Sequence, residues 1–292
     1  MKVSTLESIV TDQPKLMKTI IRFWDNLSEP IDSLRGHHLH HGYFEENADL
    51  TIIEAQELLQ EKLASFAELG NGELILDAGC GLGATGIFLA QKFSSQVSGV
   101  TISPKQVAMA QEKAAAAGVT GVDFKVEDAL SLKSFPDATF DVVWCLDSCS
   151  QFLDKSLFFR QAYRVLKPRG KLMLAAWCSS QDEYTGYNAR EYIKLCKSFN
   201  IPYLPSISSY AKLLEEAGFI VSKKEDWTEK VEKTWMRSHQ ILSVSLFKRL
   251  FILMLRGGPQ FFRLFENQKL MQQAYREHRM RYGVFLSLKP AV

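Results

Sequence analysis

Leu74 to Gly83, LILDAGCGLG, closes an apolar run with Asp77 and then sets glycines at every second position, Gly79, Gly81 and Gly83. An apolar run of this length ending in glycines reads as a buried strand, and the next ten residues, ATGIFLAQKF (84–93), have the apolar spacing of a helix. Glycine serves where backbone takes a positive φ or where a ligand lies against bare main chain. Strand, glycine loop and helix N-terminus in that order form a cradle of exposed N–H groups suited to a nucleotide-type ligand. Gly81, Gly83 and Gly86 also satisfy G-x-G-x-x-G, the dinucleotide fingerprint, so an NAD-dependent oxidoreductase stays open at this point.

Asp77 separates the two ligand classes. A pyrophosphate on this loop would meet its carboxylate, whereas a ligand carrying an ammonium group would be attracted to it. S-adenosylmethionine carries both an α-ammonium and a sulfonium. The alternative role for Asp77 is to tie down amides of its own loop. An acidic residue followed by G-x-G-x-G resembles the first motif of the class I S-adenosylmethionine-dependent methyltransferases. That resemblance implies an α/β fold with a Rossmann-like, seven-stranded, mainly parallel sheet and helical cap insertions, YGVFLSL (282–288) supplying an antiparallel last strand. It implies S-adenosylmethionine as cofactor, held by Asp77, Ala78, Gly79, Cys80, Gly81 and Gly83.

The second strand, SQVSGVTIS, ends on Thr101 where dehydrogenases and most methyltransferases carry an acid for the ribose hydroxyls. A lone hydroxyl in place of a bidentate acceptor counts against NAD. The stretch T-I-S-P-K-Q resembles that of tocopherol, sterol and cyclopropane-forming methyltransferases, which implies ribose and adenine contacts for Thr101, Ile102 and Gln106. A helix, PKQVAMAQEKAAAAG, and a third strand, VDFKV, lead to Asp128 and Ala129, and the resemblance gives Asp128 the adenine amine. The fourth strand, FDVVWCL, ends at Leu146, which the resemblance counts with Ala129 among the cofactor contacts, and delivers D-S-C-S-Q-F from Asp147. The tocopherol-type pattern reads E-S-G-E-H-M here. Ser150 and Gln151 therefore replace a glutamate and a histidine, removing two candidate proton acceptors. R-V-L-K-P-R-G, a strand ending in Trp177-Cys178, and EDWTEKVEKTW extend the resemblance over about residues 23–290.

Four of the six histidines fall between Gly36 and Gly42. His37 and His41 have the i, i+4 spacing of a zinc helix, but the bracketing glycines favour a turn, and no metal site is expected. H-H-G-Y-F-E resembles the family's H-H-G-[YF]-[YFW]-E. Tyr43 and Phe44 then either close over the sulfonium as a lid, since aromatic faces attract such cations, or are plain core residues. For a proton-accepting group Asp147 stands first and His40 or His41 next; Asp147 equally suits capping its own loop.

With 292 residues, 46% of them hydrophobic, the chain can bury a substantial core. Residues 1–70 are expected as a helical lid segment, 71–180 as the cofactor-binding core, and 181–292 as acceptor-binding cap helices with the last strands of the same sheet. A net charge of +2 provides no concentrated basic field, so nucleic acid is not the expected acceptor and a lipophilic small molecule is. Five cysteines, an odd number lying mostly in strands and their loops, read as reduced residues of a cytoplasmic protein, without support for a catalytic Cys149. The apolar block Leu246–Leu255 is too short and too charged to span a bilayer. It reads as a lid helix on a greasy pocket, with peripheral membrane contact as the alternative. The acceptor class implied by the resemblance is a prenylated aromatic (C-methylation) or an indole-type alkaloid (N-methylation). A non-catalytic S-adenosylmethionine sensor or membrane-associated scaffold is the reading outside enzymology.

Overall fold

A computed structural model of the chain describes residues 1–10, 12–45, 49–244 and 266–291. It opens with a short strand, β1 (Lys2–Ser4), followed by helices α1 (Gln13–Arg35) and α2 (Ile52–Phe66). Asp12 caps α1 by accepting from Lys15 N–H, with Pro14 in the first turn where its missing N–H costs nothing. Thr51 and Glu54 form a reciprocal capping box on α2.

The core then alternates strand and helix: β2 (Leu74–Ala78), α3 (Ala84–Phe93), β3 (Gln96–Thr101), α4 (Pro104–Ala116), β4 (Val122–Val126), β5 (Phe140–Leu146), α5 (Lys155–Val165) and β6 (Leu166–Ser179). The cap region adds β7 (Glu183–Thr185), α6 (Gly186–Ser198), α7 (Ile207–Glu216), β8 (Ile220–Asp226), α8 (Thr228–Val231), α9 (Lys233–Val244), a helix α10 over 266–276, and β9 (Met280–Leu288). The main sheet runs β4-β3-β2-β5-β6-β9-β8. β9 is antiparallel to both its neighbours and the other pairs are parallel, as the sequence predicts.

Both sheet faces are covered, and β5 shows why its sequence is apolar throughout. Val143 and Cys145 join one core with Phe158 and Phe159 of α5, while Val142 and Trp144 join the other with Leu59 and Leu63 of α2. Alternate side chains of a strand point to opposite faces, so a strand buried on both sides carries no polar alternation. A third apolar cluster, holding Tyr192, Trp235, Met271 and Tyr275, belongs to the cap.

Two features depart from the sequence reading. LKPRG (166–170), whose Pro168 and Gly170 read as a turn leading into the fifth strand, is the first part of β6, where a register shift and a positive φ at Arg169 absorb the extra residues. β1 pairs antiparallel with β7 in a two-stranded sheet that no pattern announces, tying the N-terminus to the cap. The apolar block Leu246–Leu255, with Phe261 to Phe265 beyond it, lies outside the described residues. Among the described residues no helix is long and apolar enough to cross a membrane.

Candidate active site

The carboxyl ends of β2 to β5 open on a cavity of about 210 Å³, roofed by α1 and closed by the cap. At β2 the chain turns through Gly79, whose φ is +89° and whose missing Cβ would lie 2.3 Å from Ser148 Cβ. Only glycine fits there. Gly79, Cys80 and Gly81 line the cavity, whereas Ala78 ends the strand behind it. Gly83, the left-handed N-cap of α3, instead packs against Ala110 and Phe124.

Asp77 lines the cavity and is 2% exposed. Its loop does not consume it: the amides of Gly79 and Cys80 both donate to the Val100 carbonyl at 2.9 Å. Asp77 Oδ2 meets no donor, and burial pushes the carboxyl up to about 7. An unmet buried carboxylate oxygen calls for a cationic group.

Thr101, Ile102 and Gln106 lie along the next wall with Asp128 and Ala129. The Thr101 hydroxyl donates to Gln106 Oε1 at 2.7 Å, and Gln106 Nε2 donates to Ser28 Oγ of α1 at 3.1 Å. Ser103, the N-cap of α4, donates to Asp25 of α1. Asp128 Oδ1 accepts from Leu130 N–H at 2.9 Å. This end of the cavity is thus built by strand ends and fastened to the roof by side-chain amide and hydroxyl bonds.

At the opposite end Leu146 and Asp147 line the cavity with His40. His41 lies behind the wall, 2% exposed, and both its ring nitrogens are engaged. His41 N–H and the Nδ1 face both meet Asp147 Oδ2 at 2.8 Å, and Trp235 Nε1–H donates to His41 Nε2 at 3.0 Å. An indole N–H only donates, so Nε2 accepts and the proton sits on Nδ1. Burial opposes the Asp147 charge, but the adjacent His41 ring and its two hydrogen bonds outweigh it and hold the carboxyl below its usual range. Asp147 Oδ2 and His41 Nδ1 are therefore spent on each other, while Asp147 Oδ1 meets no donor. His40 Nδ1 faces the His41 carbonyl at 2.7 Å, which places its proton there and leaves Nε2 the basic nitrogen of the neutral ring.

The neighbouring loop is held from below by Lys155, fully buried, whose ammonium donates to the carbonyls of Ser150 and Phe152 at 3.2 Å and sits 3.9 Å from the Tyr203 ring centroid. Burial pushes that ammonium down to about 8. Cys149 is fully buried and does not line the cavity.

Tyr43 and Phe44 are not the lid. Tyr43 packs on Trp227 and Phe44 is buried with Ile52 and Ala55, because the chain past Gly42 turns outward along α2. Residues 36–45 contain no helix, so His37 and His41 are not presented as a helical pair, and among the described residues no group of three or more His, Cys, Asp or Glu could hold a metal. The aromatic wall comes from elsewhere: Phe23 and Trp24 of α1, Phe152, Trp177, Phe199 and Trp235, with Asn267 and Gln268 of α10 beside them. In α1, Ile20, Phe23, Trp24 and Ile31 share one face at helical spacing, a signal present in the sequence that reads as core. Among the described residues no lysine or arginine lines the cavity, while Asp77, Glu127, Asp128 and Asp147 do.

Residues 76–174 match the family model described as a methyltransferase domain. The 27-O-demethylrifamycin SV methyltransferase of Amycolatopsis mediterranei is 34% identical over 220 residues, covering 74% of this chain and 78% of the relative. The chain is a class I S-adenosylmethionine-dependent methyltransferase. The tocopherol O-methyltransferase of Arabidopsis thaliana, a chloroplastic protein, is 28% identical over 297 residues, covering 96% of the methyltransferase and 84% of the relative. The ajmaline N-methyltransferase of Rauvolfia serpentina is 29% identical over 284 residues, covering 91% and 93%. In fold the methyltransferase is similar to a [4+2]-cyclase, with a TM-score of 0.81, 24% identity and coverage of 94% and 97%. Membership settles the donor as S-adenosylmethionine and sets aside the NAD and sensor readings. The cavity fits that donor: an unmet carboxylate oxygen for a cation and bare glycine backbone where a side chain would intrude.

Proposed function

We propose that this methyltransferase methylates the nitrogen of a lipophilic amine of indole or alkaloid type. S-adenosylmethionine, when bound, supplies an electrophilic methyl group on a sulfonium. Asp77 receives its ammonium, Gly79 and Gly81 let it approach the backbone, and Thr101, Ile102, Gln106 and Asp128 hold its nucleoside. The observation that carries the acceptor class is the lining of the other end, six aromatic side chains with the Asp147 carboxylate and, among the described residues, no lysine or arginine. Aromatic faces and carboxylates favour a substrate that is cationic or becomes so on methylation. A phosphorylated acceptor would find no lysine or arginine countercharge among the described residues.

The loop after β5 supports the same reading. Ser150 Oγ donates to the Asp147 carbonyl, Gln151 is bonded at both ends, and Asp147 is held by His41. An amine arriving as its free base needs no proton removed before attack, so the protein contributes chiefly by holding it in line with the methyl carbon. His40 is the residue placed to take a proton from an acceptor that arrives protonated. C-methylation of a prenylated phenol would require a base, and with glutamate and histidine replaced by Ser150 and Gln151 the loop offers only Asp147 Oδ1 for it. The test is incubation with deuteromethyl-labelled S-adenosylmethionine and a panel of indole amines beside the phenolic tocopherol precursors. Label on amine nitrogen supports the proposal; label on the phenols alone overturns it.

A further inference from the structure

Gln151 stands where the tocopherol-type pattern has histidine, and its amide is used at both ends. Trp24 Nε1–H of α1 donates to Gln151 Oε1 at 2.7 Å, and Gln151 Nε2–H donates to the Phe199 carbonyl at 2.8 Å. All three residues line the cavity. A primary amide suits this bridge because one atom accepts from a donor-only indole while the other donates to an acceptor-only carbonyl; a carboxylate could do only the first.

The contact continues past Phe199. Its ring packs edge-on against Trp177 and Trp235 at centroid distances of 5.2 and 5.7 Å. Trp235 donates to His41, and His41 holds Asp147, four residues before Gln151. That end of the cavity is thus lined by bonded and packed groups, and Gln151 is a hydrogen-bonded link between α1 and the cap.

We propose that Gln151 is a specificity-determining residue: it braces Trp24 against Phe199 and so fixes the width of acceptor that the cavity admits. The proposal rests on the reading that this end of the cavity receives the acceptor. Neither amide atom is left to move a proton, so the residue acts on size. Trp24→Phe removes one N–H and keeps an aromatic ring, Gln151→Ala removes the amide, and the double variant closes a cycle.

Calorimetry on the full chain saturated with S-adenosylhomocysteine compares tryptamine with its broader N,N-dibenzyl derivative. The wild type is expected to prefer tryptamine, each single variant to reduce that preference about fivefold, and the double variant to reduce it no further, as for two residues acting through one bond. Exchange of the Trp24 indole hydrogen, identified by its loss in Trp24→Phe, is expected to accelerate in Gln151→Ala. An unchanged preference with binding retained, additive effects, or unaltered indole exchange overturns the brace alone. Failure of both amines to bind the wild type overturns the acceptor reading and the brace together.

Discussion

Asp77 shows how a single residue sets both a cost and a function. Its carboxyl, near 3.8 in an open chain, is pushed up to about 7 by burial. A carboxyl that holds its proton more tightly when folded gives stability that is fully present below the unfolded value and lost as pH rises through the folded one. Ligand-free protein should therefore lose on the order of a few kcal/mol between roughly pH 4 and 7 from this group. Asp77→Asn should remove that slope in scanning calorimetry while weakening S-adenosylhomocysteine binding by about ten- to a hundredfold, the range for losing a charged hydrogen bond in a dry site. Equal affinity in the variant would contradict the role given to Asp77. The sequence exposed this residue because charge and glycine spacing are local. It did not expose the fate of His41: which of two adjacent histidines faces the cavity depends on Asp147 and Trp235, 106 and 194 residues away.

Among elements, the strands and helices of the core were legible from apolar runs and glycine stops, and β4 and β5 coincide with VDFKV and FDVVWCL. The acceptor wall was not. It is assembled from α1, the loop after β5, β6, the loop after α6 and α9, each contributing one or two aromatic residues that look like ordinary core in their own segment, with Asn267 and Gln268 of α10 beside them. α1 is the element with the clearest dynamic consequence. It is fastened to α4 by Asp25 with Ser103, Ser28 with Gln106 and Asp32 with Lys113, the last pair at 2.7 Å and largely buried. Since α1 lines the cavity beside the residues proposed to hold the nucleoside, release of that nucleoside is expected to require these ties to open. The double variant Asp25→Ala with Asp32→Ala removes two ties worth roughly 1 kcal/mol each. Stopped-flow displacement should show S-adenosylhomocysteine leaving about tenfold faster or more, with far-ultraviolet circular dichroism unchanged. An unaltered release rate would mean that the roof does not gate the site.

At the scale of the whole molecule, the near-neutral net charge hides a division that composition cannot show. Among the described residues no lysine or arginine lines the cavity, while the cavity gathers carboxylates and aromatic faces. A parallel sheet with a switch from strand to loop lines one half of the cavity, and the cap lines the half that we propose receives the acceptor. On the proposed reading the molecule positions an amine, with proton removal left to the amine's own equilibrium with water. The most direct test is the pH dependence of kcat/KM for methyl transfer to two amine acceptors whose own pKa values differ by about two units, a spacing that resolves the two titrations. A rising limb that moves with the acceptor's pKa, and persists in His40→Gln, is the predicted result. A limb fixed at one pH for both amines, and lost in His40→Gln, would contradict the account and show that the protein itself supplies the base.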